Sequence, residues 1–224
     1  MSIAKRVVAI DGPSGSGKST IARGVADALG LEMLDTGAMY RAVTCAVLRA
    51  GVDTTDEEQV TVIAQAARLD VSGGVTTLDG QDVSAVIRGP EVTANVSAVS
   101  AYPGVRAELG TRQRAFVAHH GGGVVEGRDI GSVVFPDAAV KVFLTASESE
   151  RARRRQRDEV AASRSVPIEE LQAAMAHRDT ADSSRVVSPL RTADGATIID
   201  TTDRAPADIV AEIVEAFRRA EGTN

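Results

Sequence analysis

The most informative segment of the chain is a glycine-rich stretch near its start. Gly12 and Gly17-Lys18-Ser19 have the spacing of a phosphate-binding P-loop, between an apolar run at residues 4–11 and a helical pattern that Gly30 ends. Glycines let consecutive backbone N–H groups converge on phosphate oxygens, and the helix N-terminus adds a partial positive charge. We therefore expect Lys18 to reach the β- and γ-phosphates of a nucleotide and the Ser19 hydroxyl to ligate Mg²⁺. The other loop residues expected at the nucleotide are Gly12, Pro13, Ser14, Gly15, Ser16, Gly17 and Thr20.

A P-loop alone does not define a function, because GTPases, motor ATPases and nucleotide-dependent regulators share it. The chain has no Asn-Lys-x-Asp motif for guanine and no apolar strand ending in the Asp-Glu pair of many motor ATPases. Two classes stay open. One is a phosphotransferase acting on a small acceptor, and the other is a regulatory switch that binds a nucleotide without any acceptor.

Two further motifs follow predicted strands, at the sheet edge where a P-loop would lie. In the first, Thr36 stands at the start of a helical pattern and Arg41 lies about 1.4 turns further on. Thr36 is either a plain helix N-cap or a ligand. In the second, Arg128 and Asp129 are adjacent, which gives either a donor and an acceptor for a ligand or a surface ion pair at a turn.

Arginines concentrate in two later helical segments. Like charges at helical spacing repel, so the crowded residues 151–157 favour neutralisation of a phosphoryl group over helix stability, with a solvated basic face as the alternative. Arg178, Asp182 and Arg185 stand at i, i+4 and i+7 and share one helix face. They form either a structural salt-bridge stripe or a set of phosphate donors with a ribose hydroxyl acceptor.

The elements that must position these motifs alternate between strands and helices. Strands are predicted at residues 4–11, 31–34, 124–126, 139–144 and 197–200, and helices at residues 38–50, 103–119, 148–157, 167–183 and 206–220. This order predicts an α/β fold, with a parallel sheet and helices on both faces. A helix at 56–68 and a hairpin around Gly73-Gly74 interrupt it and predict a small insertion lobe. We expect one domain over 1–224, with its core at about 1–52, 101–147 and 186–224, the lobe at about 53–100 and a helical lid at about 148–185.

Composition excludes several other classes. The formal net charge of −6 argues against broad binding to nucleic acid, which needs a basic face. Cys45 is the only cysteine, so the chain has no intrachain disulfide and no cysteine-rich zinc site, and we expect Cys45 to be buried on a helix. No apolar stretch approaches the length of a signal peptide or a membrane span, so we expect a cytoplasmic protein with no membrane partner.

Taken in order, four motifs resemble those of bacterial cytidylate kinases, a family of P-loop nucleoside monophosphate kinases. The motifs are residues 10–18, 34–41, 126–131 and 134–138, and the resemblance includes the lobe that ends at residues 82–88. It implies transfer of the γ-phosphoryl group of Mg·ATP to CMP and dCMP, by a monomer with a nucleoside-monophosphate-binding lobe. The alternatives are a kinase for another small acceptor such as UMP, and the regulatory switch.

The resemblance also implies roles for individual residues. Arg41, Arg128 and Arg178 would lie near the acceptor phosphate, and residues 151–157 would form a lid over ATP. The expected catalytic set is Lys18, Arg128, Arg178 and Arg154, although the sequence does not say which lid arginine meets the transferring phosphate.

On the acceptor side, the resemblance implies that Asp129, Arg106 and Ser97 read the cytosine ring. Asp182 and Arg185 would contact the ribose and the phosphates. The family often has serine at the position of Thr36, which keeps the hydroxyl. The remaining residues expected at the acceptor are Thr36 and Tyr40.

Overall fold

The computed structural model describes residues 6–222. Its elements, in chain order, are β1 (Val7–Asp11), α1 (Lys18–Leu29), β2 (Met33–Asp35), α2 (Thr36–Arg49), α3 (Glu57–Ala66), β3 (Leu69–Ser72), β4 (Val75–Leu78), β5 (Gln81–Asp82), α4 (Pro90–Val99), α5 (Pro103–His120), β6 (Gly123–Gly127), β7 (Val140–Thr145), α6 (Glu148–Ala161), α7 (Ile168–Ser184), β8 (Thr197–Asp200) and α8 (Pro206–Gly222). A 3-10 turn (Val86–Arg88) precedes α4, and a π-helical turn (Ile130–Val134) follows β6. Ala4 and Lys5, the start of the predicted first strand, lie outside the described residues.

Five strands form the central sheet in the order β2-β6-β1-β7-β8, and all neighbouring pairs are parallel. The predicted α/β class and parallel sheet are confirmed. Every residue of β1 and of β6 is buried, as expected for strands covered on both faces. Because the strands are parallel, their carboxyl ends share one edge. Asp35 ends β2 at that edge, and the P-loop and Arg128 directly follow β1 and β6 there.

Helices cover both faces of the sheet. On one face α1 packs against α8, whose Ile209, Ile213 and Phe217 recur at helical spacing and are buried. The other face carries α2 with α3, α4 and α5, and here Cys45 of α2 is buried as expected. Within residues 6–222 no helix has the length and apolar character needed to cross a membrane.

The predicted hairpin around Gly73-Gly74 is confirmed, and β5 extends it to an antiparallel sheet of three strands. The helix α3 precedes this small sheet. Arg112 of α5 holds the end of α3 by donating to the carbonyls of Ala64, Gln65 and Ala67. The sequence prediction missed α4, which lies at the C-terminal end of the expected lobe.

Helices α6 and α7 pack together and contact the P-loop. Asp179 of α7 accepts a hydrogen bond from the Ser14 N–H at 3.3 Å, and Arg151 of α6 donates to the Ser14 carbonyl at 3.1 Å. Arg151 also pairs with Asp179. The prediction that Arg185 shares a helical face with Arg178 was wrong in detail, because α7 ends at Ser184 and Arg185 is its extended C-cap residue.

Candidate active site

The P-loop has a backbone that only glycine tolerates at three positions. Gly12, Gly15 and Gly17 have φ values of 150°, 75° and 89°. A Cβ at Gly12 would lie 2.1 Å from the carbonyl oxygen of Leu144, so the loop passes directly over β7. Lys18 is buried, and its Nζ donates to the Pro13 carbonyl at 2.8 Å. The loop is therefore already curled around its lysine.

Lys18 lies opposite a carboxylate that the sequence analysis did not single out. Glu126 of β6 is 3% exposed, and its Oε1 has no hydrogen-bond partner among the described residues. Burial, followed by the charge of Asp35, raises the pKa of Glu126 to about 7, while Lys18 and the Ser19 hydroxyl oppose the rise. Burial and the nearby Arg128 lower the pKa of Lys18 to about 7. A lysine, a hydroxyl and two carboxylates thus meet beside the P-loop.

A cleft of about 190 Å³ extends from the P-loop along the carboxyl edge of the sheet. It brings together most of the residues predicted for the nucleotide and the acceptor. They are Ser14, Gly15, Lys18, Ser19, Thr36, Tyr40, Arg41, Arg106, Arg128, Asp129, Arg178, Asp182 and Arg185.

Three arginines converge on Asp182, which is 3% exposed. Arg128 Nε lies 2.9 Å from Asp182 Oδ2, Arg178 Nε lies 4.0 Å from the same oxygen, and Arg185 NH1 lies 3.7 Å from Oδ1. Burial alone would raise the pKa of Asp182, but Arg128 and Arg178 outweigh it and hold the pKa below its usual range. Burial and Arg128 lower the pKa of Arg178 to about 10. One carboxylate among three guanidinium groups leaves a positive excess that favours an anionic ligand.

At the inner end of the cleft, Arg106 and Asp129 form a buried pair. Their NH2–Oδ2 distance is 2.6 Å, and each side chain is 6% exposed. Arg106 NH1 also donates to the Ser100 carbonyl at 2.9 Å, and its guanidinium lies 5.2 Å from the centre of the Tyr40 ring. The pair presents an acceptor and donors side by side, which suits the edge of a planar, hydrogen-bonding ring.

Arg41 connects α2 to the insertion region. Its NH1 donates to the Ile87 carbonyl and to the Thr93 hydroxyl, both at 2.9 Å. Burial and the charge of Arg178 lower the pKa of Arg41 to about 9. A guanidinium has five N–H donors, so these two bonds leave others for a ligand.

The suggestion that Thr36 is a helix N-cap is wrong. Asp35 is the N-cap of α2, and its Oδ1 accepts from the Ala38 N–H at 3.0 Å. Thr36 is buried, and its hydroxyl donates to the Glu126 carbonyl at 2.7 Å, which fixes β2 against β6. Thr36 also lines the cleft, so the ligand role stays a prediction.

Seven predicted residues do not line the cleft, namely Gly12, Pro13, Ser16, Gly17, Thr20, Ser97 and Arg154. Val96 and Ser100 line it from the C-terminal part of α4, and Ser97 does not. Arg154 donates to Thr201 Oγ1 at 2.8 Å and to the Thr201 carbonyl at 2.7 Å behind the P-loop, and its neighbour Arg155 faces the cleft instead. Thr20 lines a groove between α1 and α8.

The sequence analysis missed Asp35 and Glu126 as cleft residues. Both stand at or near the carboxyl end of a strand in the same sheet, and a lone acid at such a place is a detectable signal. Arg88, which pairs with Asp35, and Asp158 of α6 are further charged cleft residues that were missed. Arg155 lies in the predicted basic segment, but only the packing of α6 shows that it faces the cleft.

Comparisons with known proteins agree with this geometry. A family model described as cytidylate kinase matches residues 8–219. The cytidylate kinase of Mycolicibacterium paratuberculosis is 51% identical over 217 residues, covering 95% of this chain and 95% of that protein. The cytidylate kinase of Caldanaerobacter subterraneus is 45% identical over 212 residues, covering 95% and 94%.

Longer relatives also exist. The bifunctional pantoate ligase/cytidylate kinase of a Synechococcus strain is 49% identical over 220 residues, which cover 95% of this chain and 40% of that protein. The chain therefore spans about two fifths of the bifunctional relative and almost all of the two single-function ones.

Proposed function

The chain belongs to the cytidylate kinase family, and on that premise we propose how its cleft transfers the γ-phosphoryl group of ATP to CMP. The observation that carries the proposal is the single cleft that holds the P-loop lysine at one end and the Arg106–Asp129 pair at the other. A phosphate donor and a base-bearing acceptor would meet between the two ends. No covalent intermediate is needed, because alignment and charge neutralisation are sufficient for this transfer.

ATP binds with its β- and γ-phosphates in the P-loop. The backbone N–H groups of the loop and the start of α1 hold the phosphate oxygens. Lys18 then exchanges its bond with the Pro13 carbonyl for one with the phosphates, which restores the full charge that burial disfavours. Arg154, behind the loop, keeps Gly15 and Thr201 in place.

The residues present fit a magnesium ion. Ser19 offers a hydroxyl, Asp35 a carboxylate, and Glu126 a buried oxygen without a partner among the described residues, and Mg²⁺ prefers such oxygen ligands beside substrate phosphates. When bound there, the ion would neutralise negative charge on the phosphate groups of the substrate. Ser19, Asp35 and Glu126 would hold the ion there.

The acceptor phosphate of CMP lies among Arg41, Arg128 and Arg178. These arginines hold its oxygens in line with the γ-phosphorus and neutralise the charge that spreads over the transferring group. Asp182 accepts from a ribose hydroxyl and keeps Arg128, Arg178 and Arg185 in place. The lid helices α6 and α7 exclude water, which would otherwise hydrolyse ATP.

Asp129 and Arg106 distinguish cytosine from uracil. Asp129 accepts from the exocyclic N4 amino group, and Arg106 donates to N3. In uracil, O4 would face the carboxylate and the N3 hydrogen would face the arginine, so both contacts turn repulsive. Hydrogen-bond discrimination of this kind reaches roughly four to five powers of ten in favourable sites. We expect a preference for CMP of at least roughly tenfold to hundredfold.

A coupled assay of ADP release with CMP, dCMP, UMP and AMP tests this assignment. Wild type should prefer CMP over UMP, and Asp129→Ala should remove most of that preference. The ratio of kcat/KM values is the quantity to compare, since loss of Asp129 also disturbs Arg106. An unchanged ratio would move base reading elsewhere, and a preference for UMP or tight nucleotide binding without acceptor-dependent turnover would favour the alternatives named above.

Several finer points stay predictions. They are activity on dCMP, the roles of Thr36, Tyr40 and Ser97, the division into core, lobe and lid, the monomeric state and the cytoplasmic location.

A further inference from the structure

Asp11 is a buried carboxylate that the mechanism above does not use. It is the last residue of β1, directly before the P-loop, and is 3% exposed. Its Oδ1 accepts from the Ile130 N–H and its Oδ2 from the Gly131 N–H, both at 2.8 Å. Asp11 does not line the cleft, so both of its oxygens are committed to the protein backbone.

The two N–H groups that Asp11 holds follow directly after Asp129. They begin the π-helical turn Ile130–Val134, and Asp129 itself has φ −144° and ψ 23°. Two anchors on consecutive amides fix the direction in which the chain leaves Asp129, and with it the direction of the Asp129 side chain. Asp11 therefore acts on the residue that pairs with Arg106.

The opposite side of the same loop is fixed as well. Arg128 NH1 donates to the Gly12 carbonyl at 2.9 Å. A Cβ at Gly127 would lie 2.7 Å from Ile130 Cδ1 and 2.7 Å from Thr36 Oγ1, so the loop has no room to shift towards α2. Residues 11 and 12 thus hold residues 128–131 in one position.

Folding alone does not account for a charged group at this site. Burial raises the pKa of Asp11 to about 6, although the two backbone N–H bonds oppose the rise. At neutral pH the carboxylate is thus ionised at a cost to stability. A buried charge that does not line the cleft and reduces stability is explained by what its hydrogen bonds position.

We propose that Asp11 is a positioning residue for base recognition: by holding the Ile130 and Gly131 N–H groups it aims Asp129 at cytosine and sets the preference for CMP over UMP. This inference rests on the proposed function. A purely structural Asp11 would instead affect all substrates equally through the fraction of folded enzyme.

Asp11→Asn is the test variant, because the amide keeps the size of the side chain but turns an N–H₂ group towards a backbone N–H. We expect KM for CMP to rise about tenfold and the CMP-to-UMP ratio of kcat/KM to fall about tenfold, the scale of one lost buried hydrogen bond. KM for ATP should stay within about twofold, because the P-loop amides are not bonded to Asp11.

Thr201→Val is the matched control at the same edge of the sheet. Thr201 is also buried, and its hydroxyl donates to the Ser16 carbonyl at 3.1 Å and accepts from Arg154 at 2.8 Å. Its loss should raise KM for ATP and leave the CMP-to-UMP ratio unchanged. The two variants should therefore separate the acceptor side from the donor side.

The outcomes distinguish the two claims. Wild-type protein without CMP-dependent ADP release would overturn the proposed function and this inference with it. A wild type that prefers CMP, together with an Asp11→Asn variant that keeps the same ratio, would overturn the inference alone. If Asp11→Asn does not fold, Asp11→Thr replaces it. Its hydroxyl accepts one of the two N–H groups, and the same fall in the ratio is expected.

Discussion

The protein contains two groups of arginines that differ in how their charge is balanced. The arginines of α6 in the predicted lid, Arg151, Arg154, Arg155 and Arg157, each pair with an acid, namely Asp179, Glu150, Glu159 and again Glu150. The cleft arginines Arg128, Arg178 and Arg185 share the single carboxylate of Asp182.

Four arginines of α6 thus share three acids, while three arginines spread over two parts of the sequence share one carboxylate and leave the larger positive excess. The density of charge along a sequence is therefore a poor guide to where free charge lies. The number of acids that contact those arginines in the folded structure is the better guide to unbalanced charge.

The largest expected difference between the two groups is in catalysis. Arg178 has a long ion pair of 4.0 Å, and its buried Nε has no hydrogen-bond partner among residues 6–222. The fold therefore depends little on it, and Arg178→Ala should lower kcat/KM for CMP by roughly 10²–10³ with an unchanged or higher melting temperature. Arg157→Ala in the lid is the control and should stay within about twofold in steady-state kinetics. Similar losses in both variants would remove the distinction.

A second difference concerns stability. Asp182→Asn leaves three guanidinium groups without their counter-charge, and breaking such a buried arrangement costs about 3–5 kcal/mol of unfolding free energy. Added sulfate or CMP should recover part of this loss, because an anion replaces the carboxylate.

Glu150→Gln in the lid is the matched control for that experiment. Glu150 is 20% exposed in its side chain and pairs with Arg154 and Arg157, so its loss should cost less than about 1 kcal/mol. Denaturant unfolding with and without sulfate measures both variants. Equal losses, or an Asp182→Asn variant insensitive to anions, would show that Asp182 is an ordinary structural acid.

The smallest expected effect is a change in proton binding at Lys18. Burial and the cleft arginine Arg128 lower the pKa of Lys18 to about 7, so at pH 8 most of the free enzyme carries a neutral amine. Phosphate oxygens raise that pKa, and binding of Mg·ATP at pH 8 should take up a fraction of one proton. Affinity for Mg·ATP should accordingly fall as the pH rises above about 7. Glu126, with a pKa of about 7, is mostly ionised at pH 8 and contributes little.

Titration calorimetry at pH 8 in two buffers of different ionisation enthalpy measures the uptake. Lys18→Met should abolish it. An uptake that persists in that variant would assign the proton to another group.

The sequence was sufficient for the features that depend on motif and strand order. The P-loop, the parallel sheet and the meeting of Arg128, Asp129, Arg178 and Asp182 at one edge all follow from them. The sequence did not show which residues of a helix face the cleft. A shift of one residue on α6 exchanges Arg154 for Arg155 at the cleft, and on α4 the cleft-facing residues are Val96 and Ser100 rather than Ser97.

The sequence also did not predict hydrogen bonds between residues that lie far apart along the chain. The Thr36 hydroxyl bonds to the carbonyl of Glu126, 90 positions along the chain, and Asp11 bonds to amides 119 and 120 positions away. No local sequence pattern predicts such bonds. They become visible only when the strands lie side by side.

The buried position of Cys45 makes the chain suitable for thiol-specific labelling. It is the only cysteine in 224 residues, it lies 2% exposed within α2, and burial raises the pKa of its thiol. Since reagents such as maleimides attack an accessible thiolate, the native protein offers them almost no target. Two cysteines introduced at exposed positions, such as Val75→Cys in the small sheet and Val160→Cys on the lid, would therefore carry a dye pair without background. Single-molecule energy transfer between the dyes would then follow the distance between the two regions through each turnover.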